Sequence, residues 1–264
     1  MADKQTKMKS RLLLWGVILI LVFPFLFILL LSLAGTWRFP SILPTTWSLN
    51  AWYSLLAINS DITQSLVRST VIGLTVASTA TWLGFITSKS IAYHRHRRHL
   101  MMLSYFPFIL SPVIYAACIN YYFIIWGLSG SVYGVILGQL LIAYPYSVIL
   151  FSGFWNNRMR QMEMLVATLG GTSWQTYRYV LMPAAKGILL VSFFQTYLIS
   201  WFEYGLTTII GVGKVETLTL QVYQYVLEAN LFYAALSSFI LIIPPALLLY
   251  ANKRYLFSKN FKKI

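Results

Sequence analysis

Six long apolar segments, separated by short polar stretches, constrain the fold of this chain more than any other feature of its sequence. A helix needs about 20 apolar residues to cross the hydrocarbon core of a bilayer, and each segment reaches that length. We therefore predict an all-α, polytopic membrane protein whose residues 1–264 form a single transmembrane domain. The six transmembrane helices are predicted at about residues 12–33, 65–91, 100–126, 132–154, 188–210 and 232–251.

Composition and charge argue against two other classes of protein. Of the 264 residues, 58% are apolar and only 10% are charged, whereas a soluble globular domain carries about 25% charged residues. The net charge of +14 could indicate a nucleic-acid-binding protein. However, the basic residues lie in short clusters between apolar segments, as they do in the loops of membrane proteins. We therefore expect this chain to contact a lipid bilayer and not a nucleic acid.

The first apolar segment could be read as a cleaved signal peptide, because basic residues precede it. Its uncharged run from Leu12 to Leu33 spans 22 residues, however, and the apolar region of a signal peptide has about 7–15. We therefore predict a retained transmembrane helix that also serves as the targeting signal.

The distribution of basic residues predicts which side of the membrane each loop occupies. Of the 20 lysine and arginine residues, 17 fall on one side of the predicted helices, whereas Arg38, Arg68 and Lys214 fall on the other. Basic residues concentrate in cytoplasmic loops. We therefore predict a multi-pass protein of the bacterial cytoplasmic (inner) membrane, with both termini and the loop 155–187 in the cytoplasm.

The loop 155–187 is the longest interruption among the apolar segments, and it looks amphipathic. Gly170 and Gly171 are expected to end one short helix, since glycine is common just after a helix end. Thr172 and Ser173 are expected to cap the next helix. We expect that second helix to stop at Pro183, because proline lacks the amide hydrogen that continues a helix.

The loop also carries a family pattern. In the permease subunits of binding-protein-dependent ABC importers, a cytoplasmic loop reads E-A-A, three residues, G, nine residues, I-x-L-P. With Gly170 as the anchor, Val180–Pro183 occupy the I-x-L-P positions, and Leu169–Thr172 and Trp174-Gln175 fit the frequent L-G-A-S and W-Q. The E-A-A positions depart from the pattern. They hold Met164, Leu165 and Val166, with Glu163 one place early. The chain therefore resembles this family in the second half of its motif.

The resemblance implies a type I importer fold and a set of partners. These are two ATPase subunits that bind ATP and Mg²⁺, a second permease, identical or homologous, and an extracytoplasmic solute-binding protein. This chain is expected to bind no cofactor itself and to be no enzyme, since it has no G-x-x-x-x-G-K-[ST] motif and no paired-cysteine or H-E-x-x-H metal spacing. The run from Phe108 to Val113 looks closest to the ferric-iron, thiamine, polyamine and aminophosphonate permeases.

In this family the loop is a coupling loop, whose short helix rests in a groove of the ATPase. Met164 occupies the place of the family's glutamate, so either Glu163 substitutes after a small register shift or the contact is apolar. The residues expected to dock the ATPase are Glu163, Ala167, Leu169, Gly170, Gly171, Thr172, Ser173, Trp174, Tyr177 and Pro183.

A few polar residues inside the predicted helices could line a translocation path. Glu203 is the one acidic residue within a predicted span, and such carboxylates are functional candidates by default. It could equally lie at the outer end of its helix, bonded to a neighbouring aromatic residue. Asn120, Gln139 and Gln195 could line the path or form hydrogen bonds between helices. A stand-alone secondary transporter or channel that uses Glu203 is the alternative function.

Three histidines cluster in the basic stretch 93–99, which could suggest a metal site or a proton relay. The interleaved arginines would repel a cation, so we interpret the stretch as a positively charged cytoplasmic loop. No metal site is predicted.

Overall fold

A computed structural model describes residues 2–37, 41, 44–56 and 60–260 of the chain, and the side chains of those between 13 and 250 other than Leu56. It is almost entirely helical. The helices are α1 (Ala2–Ser32), α2 (Asn50–Leu56), α3 (Asp61–Ala92), α4 (Arg97–Tyr105), α5 (Pro112–Ile125), α6 (Val132–Ser152), α7 (Asn157–Thr168), α8 (Ser173–Gln175), α9 (Met182–Trp201), α10 (Gly205–Gly211), α11 (Leu218–Leu227) and α12 (Leu231–Asn260).

The helices confirm an all-α, polytopic membrane protein. Among the described residues, five helical stretches are long and apolar enough to cross a bilayer, and a bent helix pair makes a sixth if it counts as one span. The five are Leu13–Ser32, Asp61–Ala92, Val132–Ser152, Ser173–Trp201 and Leu231–Tyr250. The bent pair is Arg97–Phe108 with Pro112–Ile125, whose axes differ by 97°.

The bend of that pair lies at two prolines of the predicted third helix. A 3₁₀ turn, Phe106–Phe108, follows α4 and contains Pro107. Ser111 is extended, as expected of a residue that precedes proline, and Pro112 then opens α5. Proline is tolerated in the first turn of a helix because its missing amide hydrogen would have no partner there.

The chain forms two compact units. The first comprises residues 1–65 and 218–244. In it, the strands β1 (Ala34–Thr36) and β2 (Thr46–Trp47) pair antiparallel after α1. The helix α2 follows, and Trp52 in it packs edge-on against Phe239, with ring centroids 5.9 Å apart.

The second unit comprises residues 66–217 and 245–264, and it contains the loop 155–187. Small residues bring its helices close together. Gly84 of α3 lies against Ser147 of α6, and Gly138 of α6 lies against Leu206 and Ile210 of α10. The buried apolar core of this unit is built from Ile72, Val76, Ala80, Ala116, Phe123, Val135, Ile142, Ala143, Leu206, Ile210 and Val215.

The expectation that Pro183 ends a helix is wrong. A π-helical turn, Thr176–Leu181, joins α8 to α9, so the helix runs unbroken from Ser173 to Trp201. In this turn the Met182 amide donates to the carbonyl oxygen of Tyr177, five residues back. The wider turn accommodates a proline whose ring would clash with the fourth preceding carbonyl in a regular α-helix. Pro183 therefore lies in the first turn of α9.

The predicted helix 188–210 is not continuous in the structure. The helix ends at Trp201, three residues follow, and α10 begins at Gly205. Glu203 lies in the break, so it is not within a continuous transmembrane helix. Its side chain bonds to backbone amides of α10, and these bonds start a new helix where the apolar sequence alone suggested continuation.

Candidate functional site

The loop between α6 and α9 has the bend predicted at its two glycines. Asn156 caps α7, and its Oδ1 accepts a hydrogen bond of 3.1 Å from the Met159 amide. After α7, Gly170 has a φ of +78°, in the left-handed region that favours glycine. Thr172 then begins α8 with a reciprocal capping box, in which the Gln175 amide donates to its hydroxyl and its own amide donates to Gln175 Oε1. These local bonds set the angle between α7 and α8.

One side of α7 is half-buried, and Glu163 on that side contacts the C-terminal end of α3. Met159, Met162, Glu163 and Val166 are half-buried and follow helical spacing. The Lys89 ammonium of α3 lies 2.7 Å from Glu163 Oε2. This ion pair links the loop to α3.

Two aromatic rings extend this contact. Lys89 Nζ lies 5.6 Å from the centre of the Trp155 ring, and the Arg160 guanidinium lies 5.6 Å from the centre of the Tyr93 ring. Both distances are within the range of cation–π attraction. Burial raises the pKa of Tyr93, and the Glu163 carboxylate raises it further while Arg160 opposes that effect.

Beneath the loop lies an aromatic cluster that none of the sequence patterns indicated. Phe85 packs against Phe151 and Trp155, with ring centroids 5.2 and 5.0 Å apart. The buried Trp155 indole donates a 2.8 Å hydrogen bond to Ser88 Oγ. The one sequence signal for the contact between Lys89 and Trp155 is that each residue lies at the end of an apolar segment.

The opposite side of α7 and the bend that follows it are exposed and apolar. The exposed fractions are 61% for Leu165, 79% for Leu169 and 65% for Trp174, and Met164 is exposed beside them. The Trp174 ring stacks on Tyr177, with centroids 6.0 Å apart, so one neighbour of the exposed indole is a ring of the same helix. Such a group of large apolar side chains on a rigid loop is typical of a protein–protein contact.

The predicted docking residues divide between the two sides of this loop. Glu163 faces α3, whereas Gly171 and Tyr177 are half-buried. Those that are exposed are Ala167, Leu169, Gly170, Thr172, Ser173, Trp174 and Pro183.

Glu203 belongs to a buried hydrogen-bond network between α6, α9 and α10. Its Oε1 accepts from the Leu206 amide at 2.8 Å, and its Oε2 accepts from the amide and the hydroxyl of Thr207 at 2.8 and 2.7 Å. Gln139, only 1% exposed, donates to Thr207 Oγ1 at 3.0 Å, and its Oε1 accepts a short bond from Ser200. The carboxylate therefore caps α10.

The two remaining polar candidates lie outside this network. Asn120 Oδ1 accepts a 3.3 Å hydrogen bond from Ser129 in the turn after α5. Gln195 is half-buried on α9. The structure thus joins Gln139 with Glu203 and separates both from Asn120.

The histidines of the stretch 93–99 are exposed, and the rings of His94 and His96 lie 5.5 Å apart. Within the described ranges, no group of three histidine, cysteine or acidic side chains is placed to hold a metal ion.

Comparisons with known proteins point to one group of proteins. No protein-family model matches the chain. The spermidine/putrescine transport system permease protein PotC of Escherichia coli K12 is 21% identical over 178 residues, which is 66% of this chain and 67% of PotC. The maltose/maltodextrin transport system permease protein MalG of Vibrio parahaemolyticus is 24% identical over 249 residues, covering 84% of this chain and 82% of MalG. The inner membrane ABC transporter permease protein YnjC of E. coli K12 is 26% identical over 63% of this chain, which spans 32% of YnjC.

Two solved structures share the fold. A chain of a bacterial ABC transporter involved in the import of the acidic polysaccharide alginate matches with a TM-score of 0.74 and 16% identity, covering 97% of this chain and 98% of that one. A chain of the MetNI methionine ABC transporter, in an inward-facing conformation, matches with a TM-score of 0.52 and 18% identity over 73% of this chain and 94% of that one.

Proposed function

We propose that this chain, a permease of the ABC importer type in its sequence relatives and its fold, forms part of a solute path and couples it to separate ATPase subunits. The observation that carries the coupling is the exposed apolar face of Leu165, Leu169 and Trp174 on a loop held by its own caps. A contact surface of this kind allows movement of a partner to be passed to the transmembrane helices. The relatives favour this function over a stand-alone secondary transporter or channel.

The partners follow from the same proposal. Two ATPase subunits hold ATP and Mg²⁺, and a second permease, identical or homologous, completes the path. A solute-binding protein delivers the solute on the outer side, and this chain itself binds no cofactor. Both termini and the loop 155–187 lie in the cytoplasm, because 17 of the 20 basic residues lie on that side of the helices.

The cargo is proposed only as a solute. The names of the relatives refer to spermidine and putrescine in one case and to maltose and maltodextrin in another. Glu203 is not proposed as a cargo or ion site, because its two oxygens already accept hydrogen bonds from α10.

The test of the proposed function is purification of the tagged chain from its native membranes in mild detergent, followed by mass spectrometry. We expect a P-loop ATPase at a stoichiometric ratio. Gly170→Arg should release it, because a side chain at φ +78° strains the bend by about 1–3 kcal/mol and Arg adds bulk beside the docking face.

Gly153→Arg is the matched control. It adds the same side chain where φ is −76° and nothing lies within 4 Å of the added Cβ. Recovery of the wild-type chain without any ATPase would contradict the proposed function. Equal release in the two variants would remove Gly170 from the docking contact.

A further inference from the structure

The only acidic residue of the loop is turned toward the protein interior. Among residues 155–187, Glu163 is the sole aspartate or glutamate. Its Oε2 is paired with Lys89 at 2.7 Å, and its Oε1 is buried. A carboxylate held in this way cannot bind a basic residue of a partner without breaking the Lys89 pair.

The docking face that remains is apolar. On α7, Met164 and Leu165 lie opposite the half-buried stripe that contains Glu163, and both are exposed. Leu169 and Trp174 continue the exposed apolar surface through the bend. Large apolar side chains in such a position stabilise a complex by leaving water, and they need a partner surface that is itself apolar.

We infer that this loop docks into an apolar groove of its ATPase subunit through Leu165, Leu169 and Trp174, and that Glu163 is a positioning residue that fixes α7 to α3 through Lys89. This inference rests on the proposed function and adds the chemistry of the partner's groove. The Lys89–Glu163 pair makes α7 and the end of α3 move together. Movement of the docked ATPase is thereby passed to a membrane-spanning helix through a contact 74 residues apart in the chain.

Charge reversal tests the role of Glu163. Lys89→Glu and Glu163→Lys each place like charges together, which should lower the amount of ATPase that copurifies with the chain by about tenfold. The double variant, Lys89→Glu with Glu163→Lys, rebuilds the pair in the opposite direction and should restore ATPase recovery. The unfolding midpoints of the single variants should stay close to that of the wild type, because the pair is partly exposed. A clearly lowered midpoint would trace the loss of ATPase to a structural defect and overturn the positioning role.

The positioning role of Glu163 is overturned if the double variant recovers no more ATPase than Glu163→Lys alone. Glu163 would then bind the partner directly. Single variants with wild-type recovery would also overturn it. Lys214→Glu is the control for net charge, because Lys214 is exposed on the side assigned as extracytoplasmic. A loss in this control equal to that of Lys89→Glu would trace the effect to net charge and overturn the inference.

The apolar groove is tested by Leu165→Ala, with Gln161→Ala one turn earlier on the same exposed face as its control. Leu165→Ala should speed dissociation of the ATPase by about tenfold, since truncation of a central apolar contact costs that much affinity. Gln161→Ala should leave the rate unchanged, and both variants should unfold like the wild type because both positions are exposed. Equal rates in Leu165→Ala and the wild type would overturn the apolar docking. Absence of the ATPase from the wild-type preparation would instead contradict the proposed function.

Discussion

Glu203→Ala is expected to destabilise the protein by about 2–4 kcal/mol, because three hydrogen bonds converge on this carboxylate. Its removal leaves the amides of Leu206 and Thr207 and the hydroxyl of Thr207 without their acceptor. Leu206 and Thr207 are fully buried, so the loss of their acceptor is costly. Gln139 also donates to Thr207, so its own bond weakens when the network loses its centre.

The measurement is thermal unfolding of the purified protein in detergent, with Glu203→Gln and Glu228→Ala as companions. Glu203→Gln keeps one acceptor oxygen and should lose about half as much stability. Glu228 is exposed and its carboxylate contacts Gln224 at 3.2 Å, so its removal should change stability by less than about 0.5 kcal/mol. Unchanged stability in Glu203→Gln together with complete loss of uptake would favour the secondary-transporter alternative.

Gly84→Val is expected to destabilise the protein by about 3 kcal/mol, since it forces α3 and α6 apart. A Cβ added at Gly84 would lie 2.6 Å from Ser147 Cβ and 3.2 Å from the Ser147 carbonyl carbon. Backbone atoms cannot turn away as a flexible side chain can. Displacement of Ser147 also breaks its 2.9 Å hydrogen bond to Ser192, which links α6 to α9 in the buried interior.

Gly153→Val is the matched control, because Gly153 ends α6 with an ordinary negative φ and open space around it. Its unfolding midpoint should stay close to that of the wild type, whereas Gly84→Val should unfold at a clearly lower temperature. Similar midpoints for the two variants would show that α3 and α6 can separate at little cost and would contradict the close helix packing.

Features governed by neighbouring residues were predictable. The bend at Gly170 and Gly171 follows from the conformational freedom of glycine, and the start of α8 follows from the Thr172 cap. The bend before Pro112 has the same local origin. The local rule that proline ends a helix gave a wrong prediction at Pro183. Pro183 lies inside a continuous helix because a π turn precedes it.

The sequence by itself determined the all-helical, membrane-spanning character, because the bilayer imposes a length and a composition that can be read along the chain. It also determined the loop and its bend. Only the tertiary structure decided that Glu163 pairs with Lys89 and that Glu203 caps α10 and joins Gln139 in one network. The first and last of these contacts join residues 74 and 68 positions apart, and only helix packing determines which distant polar groups meet.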